Sequence, residues 1–160
     1  MALTKPAQSN ANRKWKLTVN TGTLSSEVWT EVLGVNDLTV NPFEPVMKED
    51  DVFDESGYGS TTKTALRWSA EATLVRRKTV PAGALDVGQE KLRTHALTLG
   101  SSGVAAVQMF DRDGGIEAYQ GFCEVEWKPD GGKMDDLETI KIKLYGKGVL
   151  TVIVNPDAGS

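Results

Sequence analysis

The sequence predicts a mainly β fold: an antiparallel β-sandwich or barrel with one flanking α-helix and a long inter-strand loop. Three observations carry this. Apolar residues recur with period two in run after run; Leu66, Trp68, Ala70, Ala72 and Leu74 alternate with Arg67, Ser69, Glu71 and Thr73, the pattern of a strand with one face on a core. Sixteen glycines and six prolines cut these runs into short pieces, as turns between strands require. Helical spacing is confined to residues 86–99. About eight strands and one helix bury their apolar faces most simply as a closed antiparallel sheet structure with the helix against it.

Taken in order, residues 1–12 are small and polar and are expected to form a flexible arm. Residues 13–154 read as one domain and 155–160 as a polar tail; 160 residues suit a single domain. Trp15, Leu17 and Val19 against Lys16 and Thr18 predict a first strand. Residues 28–33 and 36–41 predict two short strands around a bend at Gly34, the second ended by Pro42 and Pro45, since proline donates nothing to a sheet ladder. Residues 43–62 then predict a long loop, in which Glu49, Asp50, Asp51, Asp54 and Glu55 place five carboxylates within seven residues and Gly57 and Gly59 bracket Tyr58. Loops of that length inside a compact domain are generally functional or disordered.

After the strand that follows, the basic run Arg76, Arg77 and Lys78 closes the region. Asp86 and Gln89 have capping-box spacing, Leu85, Leu92, Ala96 and Leu99 form an apolar stripe, Gly100 fits the residue past a helix end, and Gly88 weakens the first turn. Residues 104–111 and 116–127 flank a hairpin turn at Arg112, Asp113, Gly114 and Gly115. In the second of these, Tyr119, Cys123, Val125 and Trp127 share one face, and Glu124 and Glu126 the other. Residues 139–145 and 149–154 predict two further strands, separated by Gly146 and Gly148.

Chemistry is sparse. The composition, 39% hydrophobic and 25% charged, is that of an ordinary globular chain, and a net charge of −4 supplies no basic field for phosphates. The N-terminus lacks the apolar core of a signal peptide, and no window approaches a membrane span. Cys123, the one cysteine, has no disulfide partner and is expected to be a small buried hydrophobe; His95, the one histidine, has no nucleophile motif beside it. No cofactor or metal is expected, because the acidic loop lacks EF-hand spacing and the Asp111 to Gly115 stretch lacks further ligands. The chain is not expected to be an enzyme.

The stretch WTEVLGV from Trp29, the acidic DDVFDESGYGS from Asp50 and TTKTALRWSAEATLVRR from Thr61 together resemble the tail tube (major tail) proteins of long-tailed bacteriophages. The order of arm, short β-meander, long loop, long strand, helix and terminal β region is similar too, over about residues 13–154. The resemblance implies a structural virion protein that assembles into stacked hexameric rings, with inner strands joining into one barrel and double-stranded DNA passing through as cargo. Its implied partners are further copies of itself and the tail tip, tape measure and tail terminator proteins. Its implied place is the virion tail, after synthesis in the host cytoplasm, with no membrane insertion. Carried onto this sequence, residues 49–60 would be a stacking loop and 1–12 an inter-ring arm. Glu49, Asp50, Asp51, Asp54, Glu55, Tyr58, Arg76 and Arg77 become candidate interface residues, the arginines pairing with a neighbour's acidic loop. Arg67, Ser69, Glu71 and Thr73 become the outward face of a tube-wall strand. The alternatives are the tube of a contractile tail or type VI-like system, and a non-assembling β-sandwich binding module.

Overall fold

A computed structural model of the chain describes residues 15–51, 57–76, 85–131 and 137–158. Its elements run β1 (Trp15–Asn20), β2 (Trp29–Glu31), β3 (Val35–Glu49), β4 (Thr61–Val75), α1 (Val87–Leu97), a 3-10 turn (Ser101–Gly103), β5 (Val104–Asp111), β6 (Ala118–Pro129) and β7 (Thr139–Val152). The seven strands form one sheet, ordered β2-β1-β5-β6-β7-β4-β3, and every pairing is antiparallel. The mainly β fold is therefore a single curled sheet with one helix, nearer to the barrel than to the two-sheet sandwich. Tyr119 on β6 shows the curl: it stacks on Trp15 of β1 at 6.3 Å and meets Phe43 of β3 edge-on at 5.8 Å, although β1 and β3 lie on opposite sides of β6 in the strand order.

The core is the concave face. Leu17 and Val19, Trp68, Ala70 and Leu74, Val107 and Met109, Cys123, and Ile140, Ile142 and Leu144 meet there with Leu92 of α1. The alternation expected in β4 holds from Trp68 to Leu74 and fails at Leu66, which is half exposed. Strand β1 is held to β5 through a buried polar line on the other face. There Thr18 donates to Gln108 Oε1 at 3.4 Å, and Gln108 donates to Gln120 Oε1 at 2.9 Å.

Four expectations need correction. Pro42 and Pro45 do not end β3, which runs on to Glu49. Only β4 pairs with β3 among the described strands, and a proline on an edge strand forfeits no ladder bond. The register shift between Asn41 and Glu44 absorbs Pro42 as a bulge, while Pro45 stays in register opposite Leu66. The long loop of residues 43–62 is therefore mostly hairpin. Likewise, residues 139–145 and 149–154 are not two strands but the continuous β7. Gly146 is needed there for closeness rather than for a turn: a Cβ on it would lie 2.5 Å from the Trp68 indole. Leu99, placed on the helix stripe, lies beyond the C-cap Thr98 and is exposed.

Helix α1 begins as predicted. Asp86 accepts from the Gln89 amide at 3.0 Å and from the Leu33 amide at 3.3 Å. The Gln89 side chain, fully buried, donates to Leu33 O at 2.6 Å and Val75 O at 2.9 Å, tying helix, bend and β4 together. Gly88 earns its unfavourable helix position by contact, since a Cβ there would stand 2.7 Å from Glu31 O. Asp86→Ala removes an acceptor shared by two amides and is expected to cost about 1–2 kcal/mol, measured as a fall in the urea midpoint with unchanged slope; Asp86→Asn is expected to retain most of it.

Candidate assembly surface

Strands β4 and β7 pair from Val75 opposite Thr139 to Ser69 opposite Tyr145, and no further. Beyond that point β4 continues with β3 alone, from Arg67 opposite Glu44 to Thr61 opposite Glu49. The outcome is a two-stranded arm that leaves the body of the sheet. None of the described arm residues from Phe43 to Arg67 is buried, so the arm is held by its own ladder and adds little to the core. It carries Phe43, Met47 and Leu66 half exposed, an apolar set that packing within the chain does not cover.

The tip is built by its acids. The Asp51 carboxylate accepts from the Ser60 amide at 2.6 Å, the Asp50 amide donates to Ser60 O at 3.1 Å, and Thr62 Oγ1 donates to the Asp50 carboxylate. Hydrogen bonds from the Thr62 side chain first, and then from the Ser60 side chain, hold the Asp50 carboxyl below the usual carboxylate range, so its charge persists into mild acid. Glu49 is exposed beside them, and Tyr58 stands 82% exposed next to Gly57, whose φ of 81° favours glycine. Asp54, Glu55 and Arg77 lie outside the described residues, as does the arm expected at residues 1–12.

Arg76 is engaged within its own chain. Its guanidinium lies 2.6 Å from Glu90 of α1 and 5.2 Å from the Trp127 ring centroid, with the side chain largely buried. Arg67, by contrast, is exposed and has no ion-pair partner within 4 Å among the described residues. Ser69, Glu71 and Thr73 follow Arg67 on the polar face of β4, Glu71 exposed and the other two half-buried. Sequence reasoning missed their neighbours on that face. Lys143 is the register partner of Glu71 and pairs with it at 3.5 Å; Tyr145 donates to Glu126 at 3.0 Å; Lys147 and Glu124 are 3.2 Å apart. The alternating lysines of β7 and glutamates of β6 were readable, but the register that sets them opposite one another was not. Exposed pairs of this kind contribute roughly 0.2–1 kcal/mol each; their main effect is to leave the face charged but locally balanced.

Cys123 is fully buried, and burial pushes its thiol up to about 12, leaving it unreactive. His95 sits half-buried, its pKa lowered by desolvation and then by Lys91. Among the described residues no group of three His, Cys, Asp or Glu side chains is placed to hold a metal, and no helix is long and apolar enough to cross a membrane.

No protein-family model matches the chain, and no curated protein matches it either. Solved structures do. A chain from the tail of an empty gene transfer agent (GTA) particle, refined helically with C6 symmetry, is similar with a TM-score of 0.65 at 11% identity, over 91% of this chain and 99% of that one. A chain from the SPP1 tail tube has a TM-score of 0.61 at 15% identity, over 91% and 80%. A chain from the six-fold symmetrised baseplate of the anti-feeding prophage has a TM-score of 0.53 at 8% identity, over 93% and 97%. The chain thus has the fold seen in tail structures of phage-like particles.

Proposed function

We propose that this protein is a tail tube subunit: a structural virion protein whose copies close into hexameric rings and stack into a conduit for DNA. One observation carries the reading. The likeness to subunits of tail and tail-tube assemblies spans nine-tenths of the chain, and the part of the molecule least used by its own core is an exposed arm with apolar and acidic groups. Glu49, Asp50, Asp51, Tyr58 and Arg67 are the candidate contact residues on that arm. Arg76, held by Glu90, serves the fold instead. The long outer edge of β3, unpaired among the described strands, also supports the reading, since such an edge invites uncontrolled pairing and ring closure would give it a partner. Tail tip, tape measure and terminator proteins would meet the ends and lumen of such a tube.

A second reading, the tube of a contractile tail, is favoured by the likeness to the prophage baseplate chain. Negative-stain microscopy of the purified protein tests the first. Rings or tubes with six-fold symmetry are expected; a monodisperse monomer at high concentration, with no polymer, refutes both readings and favours a binding module. A sheath that decorates the tube points to the contractile system.

A further inference from the structure

Packing, burial and charge converge on His95, in the last turn of α1. The helix end and the 3-10 turn are pressed together there. The Thr98 amide donates to His95 O at 3.3 Å, the Gly103 amide donates to Gly100 O at 3.0 Å, and a Cβ on Gly103 would stand 3.3 Å from His95 O. Strand β5 starts directly after the turn. The imidazole lies in the wall of a cleft of about 670 Å³, enclosed by the helix end, the 3-10 turn, the β1–β2 turn and the first residues of β5. Its Nδ1 is buried and has no hydrogen-bond partner among the described residues. Few charges face it. Lys91, one helical turn earlier, has no carboxylate within 4 Å among the described residues. Glu124 of β6 and Lys147 of β7 line the same cleft but sit 3.2 Å apart and offset one another. The cleft residues of the β1–β2 turn, the 3-10 turn and β5 are uncharged. On the helix itself Glu90 is paired with Arg76 and Arg93, and Glu31 of β2, beside Gly88 at the far end, is paired with Arg112.

We propose that His95 is an acid-sensitive latch: the neutral imidazole keeps the 3-10 turn closed on α1, and its protonation releases the turn and opens the cleft. The reason is the cost of a second positive charge in that wall. A proton on the ring creates a cation that is partly desolvated and one turn from the Lys91 ammonium, and no free carboxylate balances it. Burial first, and Lys91 second, hold the imidazole pKa below its ordinary 6.5, against weaker support from the Ser102 and Gly103 backbone. The folded chain therefore takes up this proton less readily than the unfolded chain. Stability is complete above about pH 6.5, falls as the pH drops towards the folded pKa, and is fully lost below it. The turn is the part of the surroundings that yields. It is three residues long, whereas Leu92 fixes the middle of the helix in the core; short, exposed segments open at a lower free energy than packed ones. The latch belongs to a single chain and is independent of the tube reading.

A chain with one histidine makes the test direct. The imidazole Cε1 proton of the full chain, followed by NMR, is expected to titrate with a midpoint below 6.5. Hydrogen exchange of the Gly103 amide, corrected for the intrinsic rate at each pH, is expected to lose at least about tenfold in protection as the pH falls by one unit through that midpoint. Lys91→Glu, which places a carboxylate one turn away, should raise the midpoint and carry the loss of protection to higher pH with it. In urea, between pH 6.5 and the midpoint, the unfolding constant of the parent should rise by up to about tenfold per pH unit more than that of His95→Gln, since the carboxylates titrate alike in both. A Gly103 amide whose protection ignores the His95 titration overturns the latch. So does a midpoint at or above 6.5, or a His95→Gln variant with the parent's pH dependence. If His95→Gln does not fold, the parent and Lys91→Glu titrations decide the matter by themselves.

Discussion

Trp68→Ala is expected to destabilise the folded chain by about 3–5 kcal/mol, the range for deleting a large buried aromatic. The side chain is only 4% exposed. It lies across two glycines on adjacent strands: a Cβ on Gly121 would stand 2.9 Å from its ring, and one on Gly146 would stand 2.5 Å from its pyrrole edge. Those glycines leave a recess that no neighbouring side chain can fill, so alanine leaves a cavity that collapses poorly. The indole N–H has no hydrogen-bond partner among the described residues, so the cost is packing and not a broken polar contact. Trp68→Phe is accordingly expected to cost much less, about 1–2 kcal/mol, because it keeps most of the apolar volume and removes an unsatisfied donor. Urea unfolding followed by far-ultraviolet dichroism reads both. A Trp68→Ala loss below 1 kcal/mol, or a Phe variant as damaged as the Ala one, contradicts the account. The residue also has a positional role. It is the last buried residue of β4 before the arm departs, so loosening it frees the angle at which the arm leaves the sheet.

The same residue marks how far the sequence could be read. Period-two alternation from Trp68 to Leu74 was plain, and it located the core face of β4 correctly. Gly146 reads in the sequence as a strand break, because a glycine that separates strands and a glycine that admits an indole look alike until the register is known. The prolines misled for a related reason. Pro42 and Pro45 forbid a central strand but not an edge strand, and edge or centre is a property of the sheet order, which no local pattern contains. Gln89 shows a third kind of limit. Its spacing from Asp86 pointed to a helix start, and the start is there; that its amide would bridge Leu33 and Val75 depended on which chain segments the fold brings to the helix. Of the candidate contact residues, the tip acids and Tyr58 were legible as an exposed, acidic stretch with an aromatic ring. The two-stranded arm beneath them and the engagement of Arg76 by Glu90 and Trp127 both required three-dimensional neighbours.

Removing the arm is expected to separate folding from assembly. Glu44 and Arg67 are register partners, so replacing residues 45–66 with Asn-Gly joins them through a two-residue turn of the kind that suits a right-twisted hairpin. None of the described residues removed is buried, and Phe43 keeps its edge contact with Tyr119. The body of the sheet should therefore keep its core, with an unfolding free energy within about 1 kcal/mol of the parent, since surface changes away from packed features have small effects and a shorter loop lowers the entropy of closure. Assembly should fail, because the variant has lost Tyr58, the acidic tip and the apolar rungs of the arm while retaining every other surface. The expected result is a cooperative monomer by sedimentation velocity at concentrations where the parent forms rings or tubes. Restoring residues 45–66 with Tyr58→Ala and Glu49→Lys divides the remaining explanations. If that full-length arm assembles like the parent, the arm acts through its length and its ladder edge; if it stays monomeric, the tip's ring and charge make the contact. A truncated variant that polymerises as the parent does would show that the arm is dispensable, and would remove the arm-based interface altogether.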